Sequence, residues 1–218
     1  MMRRCVLVLA FLVWSSIAAA SPEFPNSVTY RETTGKESEQ FTWVLQPGSD
    51  ICLTVTRPDE RFLNTFDRTA ETIRWSHIGP QRNITACRQD DRLILNGDLN
   101  GNAVQKEWTI GDSPWYQALS YCLRPFLKST SRKIEFWMIR PDTVDAVKLC
   151  AEKAEVEPIT VNGRCFEAWK VKIYRTGFLS IFWQGEYWYR VKDGLFLKYS
   201  GIHGPPGTPP TVVELVPD

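Results

Sequence analysis

The sequence predicts a mainly β domain, a strongly curved antiparallel sheet wrapped around one amphipathic helix. Three observations carry that expectation. Apolar and polar side chains alternate along most of the chain, as in strands that bury one face. Residues that accept positive φ punctuate these runs at short intervals, as antiparallel hairpins require. A single segment, residues 113–129, abandons the alternation for helical spacing.

The first element is a secretory signal over residues 1–20. Arg3 and Arg4 form its positive head, Val6 to Val13 its apolar run, and Ser15 to Ala20 the small-residue region, with cleavage expected after Ala20. The apolar run falls short of the roughly 20 residues that cross a bilayer. Cys5 lies inside the signal, and no lipid-attachment box stands at the junction. The expected mature protein is therefore residues 21–218, one unanchored β-rich domain that does not span a membrane after cleavage, periplasmic or secreted, from a bacterium.

Strand signals follow the Pro-rich entry Ser21 to Pro25. Phe41, Trp43 and Leu45 share one face. After the turn Pro47-Gly48-Ser49-Asp50, Ile51, Leu53 and Val55 repeat the pattern. Turns are expected at Asn96-Gly97, Asn100-Gly101, Asn162-Gly163 and Asp193-Gly194, the last joining Tyr187 to Lys192 with Leu195 to Tyr199. In 113–129 the apolar side chains Trp115, Leu119, Cys122, Leu123, Phe126 and Leu127 form a helical stripe. Asp112 or Ser113 is the expected cap, Pro114 opens the first turn, and Pro125 shortens the last. Ile134 to Ile139 is nearly apolar on both faces, suiting a strand between the helix and more protein. Trp169, Val171 and Ile173 form another half-buried strand. Gly204 to Pro210 reads as a stiff connector to a final strand, Thr211 to Val216. Roughly ten or more strands result, a number at which a sheet must curl, split or close.

Charge and cysteine usage narrow the function. Loss of Arg3 and Arg4 leaves 24 basic against 25 acidic residues, a net charge of −1, so nothing points to nucleic acid. Five cysteines remain, Cys52, Cys87, Cys122, Cys150 and Cys165; no C-x-x-C motif or metal-ligand spacing is present. Cys150 with Cys165 is the preferred disulfide, and Cys122, on the helical stripe, the expected spare thiol. His77 and His203 are the only histidines, and no nucleophile elbow, zinc helix or phosphate loop occurs, so neither catalysis nor a cofactor is expected. Asp59-Glu60 and Asp90-Asp91 read as solvated turns.

Nine Trp, seven Tyr and eleven Phe exceed what a plain sandwich core needs and suit a concave lining. Trp43, Trp75, Trp108, Trp115, Phe136 and Trp137 are the candidates to contact a ligand there. The strands of 28–110, Pro114-Trp115-Tyr116-Gln117 opening a helix, Phe136-Trp137 with Arg140-Pro141-Asp142, and the hairpin Tyr187-Trp188-Tyr189-Arg190 with Asp193-Gly194 together resemble uncharacterised bacterial periplasmic proteins allied to the lipoprotein-carrier (LolA and LolB-like) superfamily. That resemblance implies a half-open β-barrel whose helix-covered concave face binds something greasy. The expected function is binding or carrying an apolar ligand, a lipid or acyl chain, without enzymatic change. The alternative is a cell-envelope interaction protein that grips a partner through a sheet edge or the 204–210 loop.

Overall fold

The computed structural model describes residues 24–176, 184–202 and 208–217. Eight strands come first: β1 (Ser27–Thr34), β2 (Glu37–Gln46), β3 (Ile51–Thr56), β4 (Arg61–Phe66), β5 (Thr72–Gly79), β6 (Arg82–Gln89), β7 (Arg92–Leu99) and β8 (Asn102–Thr109). Two short helices, α1 (Leu119–Cys122) and α2 (Arg124–Lys128), separate them from β9 (Lys133–Ile139), β10 (Ala146–Val161), β11 (Arg164–Arg175), β12 (Gln184–Arg190), β13 (Phe196–Gly201) and β14 (Thr211–Val216). All belong to one antiparallel 14-stranded sheet, ordered β8 to β1 and then β14 to β9. Two meanders are thus sewn together where β14 meets β1, Thr211 opposite Thr34. The sheet remains open, with β8 and β9 as its outer strands.

Local chemistry explains the meanders. Asn100, Asn162 and Gly194 take positive φ at tight turns, where an Asn side chain or the lack of Cβ makes that backbone accessible. At the Asp193-Gly194 turn the carboxylate accepts the Leu195 amide at 3.1 Å and Arg190 Nε at 2.9 Å, fixing the β12–β13 hairpin. Alternation then selects the buried face, as along β14, where Thr211, Val213 and Leu215 are buried and the residues between are not. Register shifts in β10 between Lys153 and Val156, and in β12 between Trp188 and Tyr189, add the bends that curl so wide a sheet.

Curling produces two cores. The larger gathers Phe66, Tyr121, Leu123, Phe126, Phe136 and Tyr189 around the helices; the smaller joins Trp75, Ile84, Leu93, Leu95, Trp115 and Ile139. Removing a side chain such as Leu123 or Phe136 from water contributes about 2 to 3 kcal/mol. Every residue of the expected helical stripe is buried, but residues 113–118 are not helical. Their amides are taken elsewhere: Tyr116 N donates to Trp137 O at 2.9 Å and Gln117 N to Thr72 Oγ1 at 3.0 Å. The first amides of a helix lack an intrahelical partner anyway, but its first carbonyls must accept from four residues on. Here Pro114 O accepts from Trp137 N at 2.8 Å and Trp115 O from Thr72 N at 2.9 Å, so the single helix expected over 113–129 becomes an extended strap followed by two short turns. Neither Asp112 nor Ser113 is a cap; α1 starts at Ala118 without a side-chain cap bond. Pro125 lies in the first turn of α2 and coincides with the break between the helices.

Two further expectations are corrected. Asn96-Gly97 is no turn: both residues lie inside β7, opposite Thr85 and Ile84. Nor do Cys150 and Cys165 pair. On the long β10–β11 hairpin Cys150 stands opposite Tyr174 while Cys165 stands opposite Thr160, ten residues further along. At about 3.3 Å per residue that gap far exceeds the ~7 Å limit on a disulfide's Cα separation. All five described cysteines are free. Cys122 is fully buried, and burial pushes its thiol up to about 12, so it stays protonated and packs as a small hydrophobe.

Candidate functional site

Between the curled sheet and the helical segment lies a cavity of about 510 Å³. Its floor is residues 117–120, where Trp43 Nε1 donates to Ser120 Oγ at 3.3 Å and Tyr189 Oη to Leu119 O at 3.0 Å. Strand alternation places its walls. Tyr30 on β1, Phe41 and Trp43 on β2, Val55 next to Trp43 across β3, and Phe62 and Asn64 on β4 all face inward. Val147 and Leu149 on β10, Tyr187 on β12, Phe196 and Tyr199 on β13, and Val213 on β14 complete the wall.

Two glycines shape one side. Gly185 and Gly201 are paired across β12 and β13, and the Tyr199 ring lies over both. A Cβ at Gly185 would come within 2.7 Å of Tyr199 Cε2, so bare backbone lets this ring lie along the sheet. Tyr187 packs beside it at 4.8 Å between ring centroids. Burial pushes the Tyr30, Tyr187 and Tyr199 phenols well above their ordinary value, so all three remain neutral hydroxyls on an apolar wall.

Charge is confined to one end. Through the register of β1 to β4, Glu32, Glu39, Arg57 and Glu60 fall at the same end of the sheet; Arg175 and Arg140 reach that end through β11 and β9. Arg57 forms ion pairs with both Glu32 and Glu39 and packs over Phe41 at 4.8 Å. Arg140 pairs with Asp142, its Nε 3.2 Å from Oδ1. Arg175 is half-buried, and its guanidinium forms no ion pair or hydrogen bond with any described residue. Deeper in, Asn64 is only 4 % exposed and its Oδ1 has no hydrogen-bond partner. An unpaired buried carbonyl costs about 1 to 3 kcal/mol, an unusual expense on an otherwise apolar wall.

The six candidate aromatics separate. Trp43 and Trp75 line the cavity. Trp115 is fully buried in the strap and Phe136 in the main core, its ring 5.2 Å from Tyr116. Trp108 and Trp137 are half-buried against the smaller core. The lining residues Tyr30, Phe41, Phe62, Tyr187, Phe196 and Tyr199 were not among the candidates. Phe41 was within reach, since it shares the parity of Trp43; the others required knowledge of which strands face each other. Among the described residues no three His, Cys, Asp or Glu side chains are grouped to hold a metal, and no helix is long and apolar enough to cross a membrane.

No family model and no curated protein matches the sequence. Solved structures do. A beta-barrel-like protein of a domain of unknown function (DUF1849) from Brucella abortus aligns at 8 % identity over 87 % of this chain and 94 % of its own, with a TM-score of 0.59. The hypothetical lipoprotein YmcC from Escherichia coli aligns at 9 % identity over 89 % of this chain and 85 % of its own, with a TM-score of 0.40. At such identity the Brucella protein is alike in fold alone, which places this chain among open, barrel-like antiparallel sheets.

Proposed function

We propose that this chain is an exported binding protein that holds an apolar ligand, a lipid or acyl chain, within its curled sheet and releases it chemically unchanged. The cavity is the observation that carries this reading. Its volume lies within the range of about 300 to 1,000 Å³ typical of small-molecule sites, and its wall is mostly aromatic and aliphatic with the charged groups at one end. Each methylene moved from water into such a wall contributes about 0.8 kcal/mol, so affinity grows with chain length without any catalytic group. The resemblance of the sequence to uncharacterised periplasmic proteins allied to the lipoprotein carriers is in keeping with the same reading.

Val55 provides the test. It lines the cavity, is only half-buried, and neighbours Trp43 across the strand pair. Val55→Trp should fill the space while leaving the sheet intact. Native mass spectrometry of gently purified wild type should show co-purified acyl mass, absent from Val55→Trp, while both unfold at similar temperatures. A wild type that carries no such mass and whose Trp fluorescence responds to no acyl compound refutes the proposal.

A further inference from the structure

We infer that the occupant is a single-chain amphiphile with an anionic head, a carboxylate or phosphate, gripped at the cavity mouth by Arg175; this deepens the binding reading above and rests on it. Three arginines line the charged end, and their partners differ. Arg57 is already shared by Glu32 and Glu39, and Arg140 by Asp142. Arg175 has neither an acid nor a carbonyl among the described residues, although it is half-buried. It occupies the last position of β11, on the same face as Val171 and Ile173, so strand alternation directs it inward rather than to the solvent face of Lys172. A guanidinium partly withdrawn from water without a partner is destabilising, and its planar fork matches the two oxygens of a carboxylate or phosphate. The apolar wall begins directly beneath it, at Leu149 opposite Arg175 and at Tyr187 and Tyr199 nearby.

Volume limits the tail. A methylene takes up roughly the space of a water molecule in the liquid, ~30 Å³. The cavity of about 510 Å³ therefore accommodates one chain of common length. The occupant we infer is one tail with one anionic head.

Trp43 and Trp75 report occupancy by fluorescence in the intact protein. Titrations with hexadecan-1-ol, hexadecanoate, hexadecyl phosphate and dipalmitoyl phosphatidic acid separate the two levels of inference. Wild type should bind hexadecanoate or hexadecyl phosphate about tenfold more tightly than the alcohol, the worth of one charge-assisted bond. Whichever anion is favoured identifies the head as carboxylate or phosphate. Arg175→Gln should abolish the preference while leaving affinity for hexadecan-1-ol unchanged, and Arg175→Lys should retain part of it. Equal binding of alcohol and anions by wild type, an undiminished preference in Arg175→Gln, or stoichiometric uptake of the two-chain lipid overturns this inference while the binding reading stands. Absence of binding by every compound overturns both.

Discussion

His77 shows how one side chain links burial to pH. It is 1 % exposed, stacked on Phe62 with centroids 4.2 Å apart, and neither ring nitrogen has a hydrogen bond, although the Glu60 carboxylate comes within 3.2 Å of Nε2. Burial disfavours the imidazolium and lowers its pKa below the ordinary 6.5, with Glu60 only partly opposing the shift. The unfolded chain then binds more protons than the fold below that value, so the stability present above pH 6.5 is lost as the pH falls toward the folded pKa. Melting temperatures of wild type should drop from pH 7.5 to 5 more steeply than those of His77→Leu, which has no such proton to gain. Parallel curves would mean that His77 titrates as in water. Because Phe62 lines the cavity, the same protonation lies one ring away from the cavity wall.

Among the elements, what was legible in the sequence depended on whether the signal was local. Strand alternation and the Asn100, Asn162 and Asp193-Gly194 turns are properties of a few adjacent residues, and these were read correctly. The apolar stripe from Trp115 to Leu127 identified what is buried, but not its backbone, because the partners of residues 115–117 are Glu71, Thr72 and Trp137, all distant in sequence. The cavity wall failed to show for the same reason: Tyr30 and Phe196 meet at 5.3 Å only once β14 has joined the two meanders. Asn96-Gly97 illustrates how one dipeptide can serve two purposes. Gly97 has φ of +149° within β7, and an added Cβ would collide with Asn83 O and sit 2.6 Å from Ile84 Cα. Here glycine permits close approach of two strands rather than a reversal of the chain. Gly97→Ala should therefore destabilise the fold by about 3 kcal/mol, combining a disfavoured φ with backbone collision. Urea denaturation measures this, and a loss under about 1 kcal/mol, the ordinary cost of a mutation, would show that β6 yields easily.

For the whole molecule, the decisive question is how an open sheet holds its two borders together. The outward groups of β9 are not left to another strand. Trp137 exchanges hydrogen bonds with the strap, its N to Pro114 O at 2.8 Å and its O from Tyr116 N at 2.9 Å. Two residues on, the Gln117 amide imitates a strand backbone: Oε1 accepts from Ile139 N at 3.0 Å and Nε2 donates to Ile139 O at 2.7 Å. The strap is tied in turn to β5, where Thr72 N donates to Trp115 O at 2.9 Å. Lys106 of β8 reaches Asp145 beyond β9 at 2.6 Å, and Arg82 of β6 reaches Pro141 O, so both borders of the sheet converge on the same seam. Closure thus depends on a side-chain amide at a position where a closed barrel would supply a strand. Gln117→Ala should leave the fully buried Ile139 with both backbone groups unpaired and cost about 2 to 4 kcal/mol. Gln117→Glu separates hydrogen bonding from packing, since a carboxylate still accepts from Ile139 N but faces Ile139 O without a proton to donate. Protonation restores that donor, so Gln117→Glu should regain stability on acidification relative to Gln117→Ala, and exchange of the Ile139 amide proton should accelerate most in the Ala variant. If that amide exchanges at the wild-type rate in Gln117→Ala, the backbone bonds between Trp137 and the strap hold the seam without the side-chain bridge, which then adds nothing to closure.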